Sequence, residues 1–356
     1  MRVLKFGGTS VGDAAAFERA VQIVRAHENA PVVVVVSAMS GITDALISGN
    51  REVINKQLQR HVEVVEIFGI PAVAECRALI ENSRREIAAL LDAKMPSLQK
   101  QDAVAAYGET LCARLFAVVL EHRGISAAYV DARRCIVTDE HHGNANPLVI
   151  ETALLKMKRV PVLGGFIGST RAGVTTTLGR GSSDYSATLI GAALEAEEIE
   201  IWTDVDGVQT ADPSLVSGTR TVPVISYEEA AQLAVLGARV MHAKMIEPVL
   251  RRGIPIRIRD SRAPENAGTL ICACSSSTGS VKAIAHHMNG THAVVGCVGD
   301  GLSNGNADAA VVRCVLHEVD PSIEWHSTAT CNLVATVERD RVPGIIRRAH
   351  ARLFGL

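Results

Sequence analysis

The chain has 356 residues, of which 47% are hydrophobic, 21% charged and 3% aromatic, and its formal net charge is −2. That length and apolar content fit two domains, or one large and one small, around an aliphatic core of the kind α/β sheets build. The near-zero charge gives no basis for a nucleic-acid or membrane-surface partner, and the longest aliphatic run, residues 32–36, is too short to span a bilayer. Eight cysteines are scattered through apolar segments. Only Cys272 and Cys274 lie close together, which is weak metal evidence, so reduced core cysteines in a cytoplasmic protein without a signal peptide are expected.

Residues 2–6 read as a short buried strand with Lys5 where an apolar residue belongs, followed by Gly7-Gly8-Thr9-Ser10 and a helix beginning near Asp13. A strand, a glycine turn and a helix N-terminus suit phosphate, because the backbone can approach closely and its N–H groups and dipole favour an anion. Lys5 adds a mobile cation. The alternative is an ordinary βα turn with a snorkelling lysine, since no Walker spacing is present. Residues 31–37 contain five valines and read as a strand covered on both faces. It ends in Ser37-Ala38-Met39-Ser40-Gly41-Ile42-Thr43-Asp44, which opens a second helix. Two βα units imply a parallel sheet with ligands at the strands' carboxyl ends, placing Thr43 near Lys5 unless it is only an N-cap.

Residues 51–100 read as charged helices, at the sheet's rim or as a lid, and residues 102–123 as a long amphipathic helix. A glycine inside a helix costs about 1 kcal/mol relative to alanine, so Gly108 beside Glu109 signals close approach by another group. On spacing alone Glu109 is a solvated carboxylate or a ligand-binder. Residues 127–130 suggest a strand, Pro147 the first turn of a helix running to residue 158, and residues 161–168 one buried strand. A hairpin follows, with Gly173 in its turn, leading to Leu178-Gly179-Arg180-Gly181-Ser182-Ser183-Asp184 and an alanine-rich helix. Arg180 suits a carboxylate or phosphate, and Asp184 either caps the helix or serves a site. Residues 199–202 read as a strand ending in Thr203-Asp204, and Ser226 with Glu229 as a capping box. Beyond the serine-rich residues 275–280, a small module is expected, with strands at 292–298, 322–327 and 330–337 and helices near 307–318 and 342–353.

Four motifs occur in the order found in aspartokinases: Lys5-Phe6-Gly7-Gly8-Thr9-Ser10, residues 37–43, residues 179–184, and Trp202-Thr203-Asp204-Val205-Asp206-Gly207. The chain therefore resembles that family over nearly its whole length. The resemblance implies an α/β fold of the amino-acid kinase type, three αβα layers with a mainly parallel sheet, plus a small α+β ACT-like (βαββα) C-terminal domain. It implies transfer of the γ-phosphoryl of ATP to the β-carboxylate of L-aspartate, with Mg²⁺ held mainly by the nucleotide phosphates and no protein metal site. Such a nucleophile is already ionised at neutral pH, its reference pKa being about 4, so no general base is needed.

Carried over by resemblance, Lys5 and Asp184 are catalytic. Gly7, Gly8 and Thr9 line the phosphoryl group, the two glycines through their N–H groups. Thr43, Glu109, Arg180 and Ser183 hold aspartate, and Thr203, Asp204, Gln209, Asp212 and Arg239 meet the nucleotide. Three positions depart from the family pattern: Gln209 where an aromatic is frequent, Ser214 where arginine is usual, and Arg239 where lysine or glutamine is common. ACT modules commonly come in tandem. Here the expected division is a catalytic domain at 1–274, a linker or remnant of a first module at 275–290, and one module at 291–356. Weakened or absent lysine and threonine inhibition and a homodimer or higher oligomer would follow. Kinases for glutamate, acetylglutamate or UMP and a non-catalytic amino-acid-binding paralogue are the alternatives; Glu109 with Arg180 favours a free amino acid.

Overall fold

A computed structural model describes residues 1–70, 73–238, 243–273, 281–303 and 307–355. The chain forms two compact units, Met1–Asp204 with Ser261–Pro264, and Val205–Asp260 with Glu265–Leu356.

The first unit opens with β1 (Arg2–Phe6), α1 (Ala14–Arg25) and β2 (Val32–Val36). Four helices follow, α2 (Ile42–Ser48), α3 (Arg51–Phe68), α4 (Val73–Asp92) and α5 (Ser97–His122), and then β3 (Ala127–Tyr129), β4 (Ile136–Thr138) and β5 (Pro147–Ile150). It ends with β6 (Val160–Gly164), β7 (Ile167–Thr170), β8 (Thr175–Thr177), α6 (Ser183–Ala193) and β9 (Glu198–Thr203). Strands β9-β1-β2-β6-β3 form a parallel run, with Lys5 in register between Val35 and Ile201. All five β2 valines are buried, each contributing roughly 1.5–3 kcal/mol.

Side-chain alternation sorts the two faces of this sheet. Leu4, Phe6, Val34 and Val36 join a core with Phe17 of α1 and Leu111, Phe116 and Leu120 of α5, where Phe116 meets Phe6 and Phe17 edge-on. Lys5 lies between Leu4 and Phe6 in sequence and so points to the opposite face, where α6 packs on β1. Helix α5 has the length and hydropathy of a membrane span, but most of it is buried against β2, β3 and β6, as the core helix of this unit.

Two sequence expectations fail here. Pro147 does not start a helix. It is the first residue of β5, an edge strand paired antiparallel to β4, where a proline sacrifices no ladder bond and Val149 and Ile150 suit an extended chain. Only a single 3₁₀ turn, Ala153–Leu155, follows it. Residues 161–168 are two strands. The chain leaves the main sheet at Gly165 and Phe166, the latter in the left-handed region (φ 66°), and β7 enters a second sheet ordered β5-β4-β7-β8.

The second unit holds β10 (Val224–Ser226), α7 (Tyr227–Val235), α8 (Glu247–Leu250), β11 (Ile256–Asp260) and β12 (Thr269–Cys272). The capping box at Ser226 and Glu229 is present as expected. A three-stranded antiparallel sheet, β13 (Ala283–Asn289), β14 (His292–Val298) and β15 (Asn332–Glu338), packs with α9 (Ala307–Val319) and α10 (Val342–Phe354) as a small α+β ACT-like module. Residues 322–327 contribute one bridge, His326 to Val334, and no strand. Residues 283–289, inside the stretch expected as a linker or remnant of a first module, form β13, which pairs with β14 along its whole length. The module's core also takes in Ala211 and Val216, so part of the 205–222 segment is built into it.

Candidate active site

The loops after β1, β2, β6 and β9 leave the carboxyl ends of neighbouring parallel strands, the place where open α/β sheets bind ligands. Lys5 is buried, and its Nζ lies 2.5 Å from Asp184 Oδ1. Asp184 stands in the first turn of α6, whose N-cap is Ser182; the Ser182 hydroxyl donates to the Leu178 carbonyl. Of the two readings of Asp184, the structure has it paired with the lysine. Thr43 is likewise not an N-cap, since Gly41 (φ 83°) holds that position in α2.

Gly7 and Gly8 bring the backbone into the site in different ways. The Gly7 N–H is donated to the Trp202 carbonyl at 2.8 Å, extending the β1–β9 ladder. This corrects the expectation that both glycine amides face a phosphoryl group, because that of Gly7 is already engaged. A Cβ on Gly8 would lie 2.8 Å from the Ala38 carbonyl oxygen, so the β1 and β2 loops touch only because residue 8 is glycine. Thr9 is exposed at the loop's tip. Ser10 Oγ lies 2.8 Å from Ser261 Oγ, and the two oxygens lie 3.3 and 3.0 Å from the Thr203 carbonyl oxygen, so one hydroxyl donates to the other and the pair fixes the end of β9 and hence Thr203 and Asp204. The Thr203 hydroxyl donates to Asp204 Oδ1 at 3.3 Å.

Glu109 comes down from α5 because two glycines make room. A Cβ on Gly108 would meet the Ala38 Cβ at 2.8 Å, and one on Gly164 would meet the Glu109 Cβ at 2.9 Å. The close approach signalled by Gly108 is thus that of the β2 loop. Glu109 is 4% exposed and its Oε2 is buried without a hydrogen-bond partner. Burial pushes its pKa up to about 8, against the opposing pull of the Ala38 N–H, the Thr43 hydroxyl and the Lys5 charge.

Glu109, Thr43, Arg180 and Ser183 line one cavity of about 240 Å³ with Ser37, Ala38, Asp44, Ile47, Phe166 and Gly181. That is below the usual range for drug-sized ligands, about 300–1,000 Å³, and suits a small metabolite. Arg180 sits between two left-handed glycines, Gly179 (φ 98°) and Gly181 (φ 73°), and is thrown outward. Its guanidinium lies 3.6 Å from Asp44, both side chains being more than three-quarters exposed, a pairing too solvated to hold it firmly. The sequence reading did not single out Phe166. Its strained backbone is held by the Ser186 hydroxyl, which accepts the Phe166 N–H at 2.8 Å. The glycines flanking that segment were its one visible signal.

Residues 1–260 match the model of the amino acid kinase family. Over 307 residues the chain is 36% identical to lysine-sensitive aspartokinase 3 of Escherichia coli K12, covering 81% of this chain and 68% of that protein. The chain belongs to the amino acid kinase family, among its aspartokinases. It is also 34% identical over 284 residues to the aspartokinase of Chlamydia muridarum, covering 76% of this chain and 63% of that one. The crystal structure of E. coli aspartokinase III in complex with aspartate and ADP superimposes with a TM-score of 0.88 at 26% identity, covering 99% of this chain and all of that one. The chain spans about two thirds or less of the length of the curated relatives it matches.

Of the remaining residues that the resemblance assigns to the nucleotide, Gln209 and Asp212 belong to the second unit. Gln209 donates through Nε2 to the Thr221 hydroxyl at 2.9 Å, across a bridge between the two residues. Asp212 Oδ1 accepts from the Ser214 N–H at 2.8 Å and from the Ser214 hydroxyl at 2.7 Å. Arg239 lies outside the described residues.

Proposed function

We propose that the chain is an aspartate kinase, which transfers the γ-phosphoryl of ATP to the β-carboxylate of L-aspartate to give 4-phospho-L-aspartate and ADP. The observation that carries this reading is the pairing of buried Lys5 with Asp184 on the same sheet end as the Glu109, Thr43, Arg180 and Ser183 cavity. Glu109 receives the substrate's α-ammonium on the oxygen that has no partner. Arg180 exchanges the exposed Asp44 for a substrate carboxylate, a charge-assisted bidentate contact. Thr43 and Ser183 supply hydroxyls. The β-carboxylate attacks as the anion it already is, so the protein's task is to align it with the terminal phosphate and to meet the charge of a loose transition state. Lys5 supplies that charge, and Asp184 keeps its ammonium aimed. Among the described residues no three acidic, histidine or cysteine groups cluster as a metal site; Mg²⁺ would reach the site on the nucleotide phosphates and neutralise part of their charge.

Trapping the acyl phosphate with hydroxylamine tests the reading. Hydroxamate forms from L-aspartate and ATP in the native protein and is lost in Lys5→Ala. ATP binding without hydroxamate would instead support a non-catalytic binding protein. We further assign the C-terminal sheet to a single ACT-like module that pairs with a second copy, with lysine and threonine inhibition weakened or absent.

A further inference from the structure

Arg60 of α3 lies outside the cavity, and no sequence motif singled it out. It is half-buried, and its guanidinium forks across two loops. Nη1 donates to the Ser40 carbonyl at 2.6 Å and to Gln57 Oε1 at 2.9 Å, and Nη2 donates to the Gly12 carbonyl at 2.6 Å. Gly12 closes the glycine loop that follows Lys5, immediately before Asp13, the N-cap of α1. Ser40 lies in the loop that carries Ala38 and leads to Thr43. These loops also meet directly, through the Ser40 N–H donating to the Gly8 carbonyl at 3.0 Å and through the Gly8–Ala38 contact.

We propose that Arg60 is a positioning residue for phosphoryl transfer, locking the Lys5 glycine loop to the Ala38–Thr43 loop so that the phosphoryl and carboxylate subsites keep one separation. The inference rests on the aspartate kinase reading and deepens it. A guanidinium can hold two carbonyls from two loops at once because its donors lie in a rigid planar fork; an ammonium is a point donor and holds one reliably. In a trans peptide the N–H points opposite to the carbonyl it follows. Pinning the Ser40 and Gly12 carbonyls toward Arg60 therefore turns the Gly41 and Asp13 amides away from it. All three oxygens held by Arg60 are neutral, so its charge remains as a second fixed cation beside loops that receive an anion. The α3–α4 segment then has a catalytic purpose: it is the mount from which the two loops are fastened.

Positioning errors of an ångström cost up to about 100-fold in rate. Arg60→Ala should lower kcat for hydroxamate formation by about 10- to 100-fold, with KM for aspartate and ATP changed far less. Arg60→Lys should fall between it and the native protein. Millimolar guanidinium should restore part of the Arg60→Ala rate where methylammonium does not. Arg51→Ala, on the same helix as Arg60, breaks only an exposed ion pair to Asp92 of α4; it is the control and should keep native kcat. An unchanged kcat in Arg60→Ala would overturn the proposal. So would a loss that guanidinium does not restore and that a lowered melting temperature explains. Should Arg60→Ala not fold, Arg60→Lys decides by the same kcat-against-KM comparison. Native protein that makes no hydroxamate would sink the aspartate kinase reading itself, a result distinct from any outcome in the variants.

Discussion

Glu109 gives the most quantitative prediction, because an ammonium can be paired only by its ionised form. With its pKa near 8 in the free protein, about one molecule in eleven carries the carboxylate at pH 7 and about one in a hundred at pH 6. Apparent affinity falls with the competent fraction. Between pH 8 and pH 6 aspartate binding should therefore weaken about 50-fold, equivalent to roughly 2.3 kcal/mol. Below pH 8, binding should also release a proton, about 0.9 per site at pH 7. Calorimetric titration with L-aspartate in two buffers of unequal ionisation enthalpy counts that proton, and KM measured by the hydroxamate assay across pH 6–8 follows the affinity. Glu109→Gln preserves the shape and removes the titration, so it should weaken binding and flatten the pH dependence. A second consequence concerns stability. The folded state holds the proton that the unfolded state releases near 4.5, so the free protein loses stability as pH rises from 4.5 toward 8. Saturating L-aspartate should reverse that loss at the upper end. A KM that stays flat from pH 6 to pH 8, with no buffer-dependent heat, would refute the assignment of Glu109 to the ammonium.

Other consequences are open to simpler assays. Lys5→Met should abolish hydroxamate formation and destabilise the fold by about 3–5 kcal/mol by leaving Asp184 uncompensated. Lys5→Met with Asp184→Asn should recover most of the melting temperature and none of the activity. His61 is 1% exposed in α3, and burial pushes its pKa down to about 4. The unfolded state takes up a proton near 6.5 that the folded state refuses. Measured against His61→Leu, in which the opposing Glu109 contribution is the same, the native protein should lose up to roughly 3 kcal/mol in denaturant titrations as pH falls from 6.5 to 4. Ser214→Arg should lower KM for ATP, and an unchanged KM would show that residue 214 does not reach the nucleotide. Added lysine or threonine should leave the rate unaffected; strong inhibition by either would refute the loss of feedback.

What was legible in the sequence was what local chemistry decides. Five valines can make a strand covered on both faces, and Asp13 and Ser226 cap the helices their spacing announces, because strand burial and N-capping depend on residues a few positions apart. Pro147 misled because its fate is set at long range: β4 offers an edge that residues 147–150 complete, and tertiary pairing overrides a weak helix-start signal. The break at Phe166, signalled only by its flanking glycines, was hard to place for a related reason. A phenylalanine at φ 66° is locally disfavoured, and partners twelve and twenty positions on, the Leu178 N–H and the Ser186 hydroxyl, hold it there. Gly108 shows the intermediate case: a helix glycine announced a close neighbour, but only the fold could name Ala38.

The positions that the resemblance assigns to the nucleotide carry the same lesson. Gln209 and Ser214 differ from the aspartokinase pattern, and each is satisfied by the chain itself, Gln209 by Thr221 and Ser214 by Asp212. An arginine at 214 would have to give up the hydroxyl contact to Asp212 in order to reach a phosphate. A larger side chain at 209 would lose the bridge to Thr221. Both residues therefore stabilise the loop's free form, and any stabilisation of the free form opposes a rearrangement on binding by the same amount. Beside that loop, the Thr210 carbonyl accepts from the Ile284 N–H, the Thr210 hydroxyl lies 2.8 Å from His350 Nε2, and the Leu215 carbonyl accepts from Arg347. The loop is thus anchored in the core of the ACT-like module. A loop built this way gains rigidity from the module, so cutting the module away should loosen residues 208–216 and raise KM for ATP while leaving the Glu109 cavity, which belongs to the other unit, able to bind aspartate. Loss of aspartate binding in that truncated chain would show that the two units do not keep their substrates' determinants apart.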